Sequence, residues 1–167
     1  VNDVKELVER LEVHYLANQD ANIFFALLTD FTDADSETLP MDADQIALVE
    51  KEIEGLNEQY PSTGEKIFYF FHRKRKWNPS EGKWMGWERK RGKLLEFNQL
   101  LRSVETTSYL PHSANKDLLR QIKYVITLDS DTQLPRDAGR RLIGTALHPL
   151  NQPVYSADFE RVVSGYG

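Results

Sequence analysis

The hydrophobic positions of the chain fall into two kinds of block. Over residues 1–17, Val4, Leu7, Val8, Leu11 and Tyr15 recur at helical spacing with charges between them, which predicts an amphipathic helix. Residues 23–30 (IFFALLTD) are a continuous apolar run, too short for a helix and closed by polar residues. That pattern predicts a strand buried on both faces and ending at Asp30. After a polar loop to Pro40, Asp42 is placed to cap a helix that carries Ile46, Val49, Ile53 and Leu56 and stops near Pro61. Second and third buried strands are predicted over 66–72 (KIFYFFH) and 122–129 (IKYVITLD). Between them, 73–86 is expected to be a poorly ordered loop. The successive cations from Arg73 to Lys76 repel one another, and Asn78-Pro79-Ser80 with Gly82 is turn chemistry. A helix is predicted over roughly 87–102, and another over 136–147, with Pro135 suited to its first turn. Beyond Pro149 and Pro153 the pattern assigns no element. Strand–helix alternation with doubly buried strands implies an α/β fold with a mostly parallel, Rossmann-like sheet flanked by helices. Ligands of such sheets sit beyond the carboxyl ends of the strands, so Asp30, His72 and Asp129 are expected on one rim.

Composition narrows this picture. A length of 167 residues, 40% hydrophobic and 28% charged, suits one domain with a real core. The absence of Cys excludes disulfides, thiolate metal sites and thiol nucleophiles. No apolar stretch approaches the roughly 18–20 residues of a membrane helix. A start at Val1 inside a helical pattern and a stop at Ser-Gly-Tyr-Gly lead to the expectation of an internal piece, incomplete at both ends. The net charge of −5 hides an asymmetry: residues 1–66 hold 4 Lys/Arg against 16 Asp/Glu, whereas residues 72–93 hold 9 against 2. A basic island in an acidic chain points to a local anionic ligand rather than to nucleic acid or membrane.

Three segments offer chemistry. In VITLDSDTQLP a predicted strand delivers Asp129 and Asp131 as it leaves the core. Residues i and i+2 of extended chain face the same way, so both carboxylates can converge on a hard cation, Mg²⁺ or Mn²⁺, that also holds a substrate's phosphates. A bare D-x-D also occurs at Asp33/Asp35 and Asp42/Asp44, and Asp commonly just ends strands. A phosphatase of the D-x-D-x-T/V type is the rival here, but Gln133 stands where that motif needs Thr or Val. In WERKRGKLLEFNQLLR, Lys90, Arg91 and Lys93 surround Gly92 near a helix N-terminus, a setting that neutralises a diphosphate or is simply a solvated basic face. With Trp77, Trp84 and Trp87, the segment 72–93 also allows a non-enzymatic module that binds RNA or another polyanion by stacking. Asp30, with Asp33 behind it, either contacts a base or ribose or ends its strand. The four histidines show no ligand spacing, and no Walker A, G-x-S-x-G or G-x-G-x-x-G sequence is present.

Taken in order, LLTDFTD, KRGKLLEFN and DSD resemble the donor-binding half of a GT-A glycosyltransferase. ALLTDFTDA, WNPSEGKWMGWERKRGKLLEFNQLLR and YVITLDSDTQLPRDAGRRLIGTALHPLNQP resemble more closely the cyclic β-1,2-glucan synthases of glycosyltransferase family 84, from about residue 4 to Gly167. The resemblance implies UDP-glucose as donor, a β-1,2-glucan acceptor and product, an inverting displacement, a Mg²⁺ or Mn²⁺ cofactor and no nucleic acid. It implies a parent at the cytoplasmic face of a bacterial inner membrane, reached only through parts outside this chain. Carried across, Asp129 and Asp131 match the metal motif, with Asp129 also at the donor. Lys90 matches the diphosphate-contacting Lys, with Lys93 beside it, and Asp30 matches the nucleotide-contacting Asp. Thr29 stands where related synthases often carry a second Asp. The acceptor base is expected beyond Gly167, so the catalytic residue is unassigned and the isolated chain is expected to be inactive.

Overall fold

The computed structural model describes residues 2–104 and 107–165, which form two compact units. The first is built from residues up to 13 together with 24–123, the second from 14–23 and 124 onward.

Helix α1 (Asn2–Ala17) leads to strand β1 (Phe25–Asp30), helix α2 (Asp42–Gln59) and strand β2 (Phe68–Arg73). β1 and β2 pair in parallel, with Phe25 opposite Phe68 and Asp30 opposite Arg73. Alternation along β2 splits its aromatics between two faces. Phe68 shares a face with Phe25 (ring centroids 6.1 Å apart) and with Tyr60 beyond the end of α2. Buried Val49, Ile53 and Leu56 of α2 complete the apolar stripe that its helical period predicts. Tyr69 and Phe71 enter a second cluster with Phe97, Leu101, Ala114, Leu118 and Leu119. Phe71, 2% exposed, makes edge contacts with Phe97 and Tyr109. Burial of such a side chain stabilises by about 2–3 kcal/mol. Asn57 stitches α2 to β2: its amide donates to the Phe68 carbonyl (2.9 Å) and accepts from the Ile67 and Phe68 N–H groups.

The stretch expected to be a loop is instead a hairpin, β3 (Lys76–Asn78) and β4 (Lys83–Met85), followed by α3 (Arg89–Leu101) and α4 (Lys116–Gln121). The turn chemistry at 78–82 was read correctly, since Gly82 N–H closes onto the Asn78 carbonyl at 2.8 Å with Gly82 at φ +62°. The charge repulsion was misjudged. Arg73, Arg75 and Lys76 each meet a different acid, so the cations do not face one another unscreened. Asp42 does not cap α2 in the expected way. Its carboxylate turns back to accept from Leu39 N–H and Arg75, and no side chain caps α2.

Residues 122–129, which lead into the second unit, do not form the expected third strand: they run without a ladder partner among the described residues. An apolar run becomes a strand only where a neighbour offers an edge, and here none does. Helix α5 (Ala138–Leu147) starts two residues later than expected, after Asp137 in a left-handed conformation. Asn18 anchors its start by accepting from Gly139 N–H at 2.9 Å. A 3₁₀ turn (Pro149–Asn151) and an antiparallel pair, β5 (Val154–Ser156) and β6 (Arg161–Ser164), follow. The expectation of an α/β fold holds in its coarse form, while the parallel sheet has two strands among the described residues. No helix of the described residues is long and apolar enough to cross a membrane.

Candidate functional site

The carboxyl ends of β1 and β2 carry a charged cluster centred on Arg73, whose side chain is fully buried. Its Nε donates to Asp30 Oδ1 at 2.6 Å, and its two terminal nitrogens donate to the carbonyls of Trp87 (3.1 Å) and Arg89 (3.0 Å). Glu96 lies 3.7 Å away, and Lys93 Nζ stands 3.3 Å from Asp30 Oδ2. A buried guanidinium is tolerated when it is charge-paired and hydrogen-bonded, and here each of its three nitrogens has a partner. The chain around it is shaped for close approach. A Cβ on Gly86 would fall 2.8 Å from Asp30 Cγ, and one on Gly92 would fall 2.0 Å from the Trp87 carbonyl oxygen. Glu88 and Arg89 both sit at positive φ (51° and 48°), a strained pair of non-glycine residues held by the Arg73 contacts at the N-terminus of α3.

Glu96 is the second hub. It accepts from Ser108 N–H (3.0 Å) and Lys76 Nζ (3.0 Å), and from the Ser108 hydroxyl in a very short bond. Burial pushes its pKa up, but the Ser108 and Lys76 hydrogen bonds outweigh this and leave it lowered. Arg75 grips Asp42 with two nitrogens (2.5 and 3.1 Å), lies over the Phe31 ring at 4.5 Å from its centroid, and donates to the Thr32 and Glu37 carbonyls. The loop after β1 is thereby fixed. The Arg75 hydrogen bond holds the Asp42 carboxyl below its ordinary range.

His72, 9% exposed, closes the rim. Thr29 Oγ1 is 2.6 Å from its Nδ1, the Phe31 ring packs edge-on at 4.0 Å, and its Nε2 has no hydrogen-bond partner. Burial lowers its pKa to about 4, against weaker opposing pulls from Asp30 and Asp42. It is therefore neutral at physiological pH. Its terminal position on an apolar strand was visible in the sequence, but nothing there marked it as buried.

Among the residues expected to form the site, the structure brings Asp30 and Lys93 together. Asp30 is engaged by two cations rather than open to a ligand on all sides, and its side chain keeps 17% exposure. Lys90 lies exposed in the first turn of α3. Arg73 and Glu96, which organise the cluster, escaped the sequence reading: Arg73 looked like one cation of four, and Glu96 like the polar face of a helix. In the second unit Asp129 and Asp131 are both exposed and belong to a turn, closed by Thr132 N–H onto the Asp129 carbonyl at 3.0 Å, rather than to the end of a strand. Two carboxylates one residue apart fit a Mg²⁺-type ion that takes its remaining ligands from phosphates and water. No group of three or more His, Cys, Asp or Glu suited to a metal occurs among the described residues.

A parallel strand–helix–strand unit with charged groups gathered at its carboxyl rim places the chain among mixed α/β proteins. No family model matches it. Over 163 residues, 98% of its length, it is 49% identical to the cyclic beta-(1,2)-glucan synthase NdvB of Rhizobium meliloti (strain 1021). The chain is thus related in sequence to part of a cyclic β-1,2-glucan synthase, as its motifs led us to expect, and it spans about 6% of the length of that relative.

Proposed function

We propose that the chain is the donor-binding part of an inverting glycosyltransferase that moves glucose from UDP-glucose onto a growing β-1,2-glucan. The 49% identity to a glucan synthase over nearly the whole chain carries this reading. The rim geometry supports it. In this reading β1, α2 and β2 are successive elements of a GT-A-like sheet, and Asp30 holds Lys93 at the mouth of α3. Lys90 and Lys93, at the positive end of the α3 dipole, receive the diphosphate. Asp129 and Asp131 would hold Mg²⁺ or Mn²⁺, which neutralises the charge developing on the departing UDP. The acceptor base and the membrane-bound parts belong to the larger synthase, at the cytoplasmic face of the inner membrane, so the chain by itself transfers nothing.

Thermal-shift titration with UDP and UDP-glucose, with and without Mn²⁺, tests the reading. The expected outcome is a metal-dependent rise in Tm with Kd of about 0.1–10 mM, reduced by Lys90→Ala and abolished for the metal-dependent part by Asp131→Ala. Absence of any nucleotide effect on a folded sample defeats it.

A further inference from the structure

The donor contacts proposed above use none of the three tryptophans of the basic segment, and two of them sit together. In the antiparallel register of β3 and β4, Trp77 lies directly opposite Trp84, while Lys76 faces Met85 and Asn78 faces Lys83. Opposed residues share a face of a hairpin and alternate along it. One face is turned to the protein: Met85 is 1% exposed, the Asn78 amide lies 3.3 Å from its sulfur, and Lys76 reaches buried Glu96. The other face presents the two indoles, with ring centroids 5.9 Å apart, planes tilted by 57°, and Trp77 51% exposed.

This face is displayed on a fixed frame. Trp84 exchanges two backbone hydrogen bonds of 2.9 Å with Ala34 in the loop that Arg75 pins. The hairpin turn is closed by Gly82 N–H onto the Asn78 carbonyl and by Ser80 N–H onto the Asn78 side chain at 3.0 Å. A rigid mount with exposed aromatic area is what a stacking ligand needs, because little ordering remains to be done on binding.

The charge around it selects the ligand. Of the 9 Lys/Arg in 72–93, Arg73, Arg75, Lys76, Arg89, Arg91 and Lys93 are each ion-paired, to Asp30, Asp42, Glu96, Asp33 with Glu81, Glu88 and Asp30 respectively. The basic island of the sequence is largely neutralised in the fold. A polyanion, whose affinity comes mainly from neutralising phosphates with unpaired cations, finds little here. A hexose ring suits the surface better: its axial C–H face is apolar enough to lie on an indole, and its hydroxyls need no unpaired cation.

We propose that the Trp77–Trp84 face is a stacking platform for a neutral glucan chain. The choice of a β-1,2-linked glucose chain rests on the function proposed above. Because the proposed donor contacts lie at Asp30, Lys90 and Lys93, the platform serves to hold acceptor or product.

The test is a titration of intrinsic tryptophan fluorescence of the whole chain with a linear β-1,2-linked glucose oligosaccharide. Parallel titrations use oligouridylate at physiological salt and UDP with Mn²⁺. A saturable emission change with the oligosaccharide is expected, with Kd weakened about fivefold, or about 1 kcal/mol, in Trp77→Ala and largely restored in Trp77→Tyr. Trp77 is half exposed, so both variants should keep the wild-type far-UV circular dichroism, which is checked first. No emission change in the wild type overturns the proposal, as does an affinity unaltered by Trp77→Ala. A saturable oligouridylate response lost in Trp77→Ala overturns it in favour of nucleic acid. Light scattering that shows a dimer becoming monomeric in Trp77→Ala overturns it in favour of a self-interface. Failure of UDP to bind, with oligosaccharide binding retained, removes the donor reading and leaves the platform standing.

Discussion

Two apolar runs, one ending in His72 and the other in Asp129, met different fates. Residues 66–72 became β2, whose Phe68 and Phe71 are 0% and 2% exposed. Residues 122–129, as apolar by eye, stayed outside any ladder, with Tyr124, Val125, Ile126 and Leu128 between 37% and 43% exposed. The difference lies in what surrounds each run rather than in its composition. β2 has β1 on one edge, α2 on one face and α3 with α4 on the other. Hydrophobic patterning states a demand for burial, and the neighbours decide whether it is met.

The contrast can be broken most forcefully at its charged ends. Arg73→Met leaves Asp30 and Glu96 without their shared guanidinium and should cost about 3–5 kcal/mol, read as a lowered urea midpoint. Asp131→Ala, on an exposed turn, should change stability by no more than about 0.5 kcal/mol. If the two variants unfold at the same midpoint, the buried cluster does not organise this end of the sheet. The apolar positions sharpen the point. Phe71→Ala should lose about 3–5 kcal/mol by cavity formation, whereas Ile126→Ala should lose less than about 1 kcal/mol. A large loss for Ile126→Ala would mean that the run 122–129 is packed in solution.

The smallest expected effect is on pH dependence, and it distinguishes the rim of β2 from the rest. His72 has a folded pKa near 4, below its unfolded value near 6.5, so the unfolded chain binds the extra proton between these limits. Stability is therefore complete above about pH 6.5 and falls by about 2–3 kcal/mol as the pH drops toward 4. His112, also lowered by burial, adds a slope of the same sign. The Asp42 and Glu96 carboxyls lose their contribution only at lower pH, so the windows separate. His72→Asn should flatten the profile between pH 4 and 6.5 in chemical denaturation. An unchanged profile would assign that slope to other groups.

Much of this was legible in the chain. α1, α2 and α3 were found from helical spacing, β1 and β2 from short apolar runs and α5 from the proline before it, with errors at their ends. The hairpin was missed because like charges adjacent in sequence were taken as neighbours in space. Each of Arg73, Arg75 and Lys76 finds its acid about 20 to 43 residues away, and no local rule reports that. For the same reason the sequence offered Asp30 as a ligand-binding carboxylate and gave no sign of Arg73 as its partner. The segment 122–129 failed from the opposite side: strand pairing is a property of two segments, and only one was read.

The stitch that Asn57 makes has a bearing on how this sheet can associate. Alternate peptide groups of β2 point away from β1, and those groups are occupied at both ends. Asn57 takes Phe68 at one end. At the other, Leu110 N–H donates to His72, and the Ser108 carbonyl receives Lys74 N–H. A foreign strand can displace such bonds only at the expense of leaving a buried amide or carbonyl unmatched. The outer border of β2 is therefore blocked at both ends against templated growth, which leaves at most its middle, around Phe70, for an incoming strand.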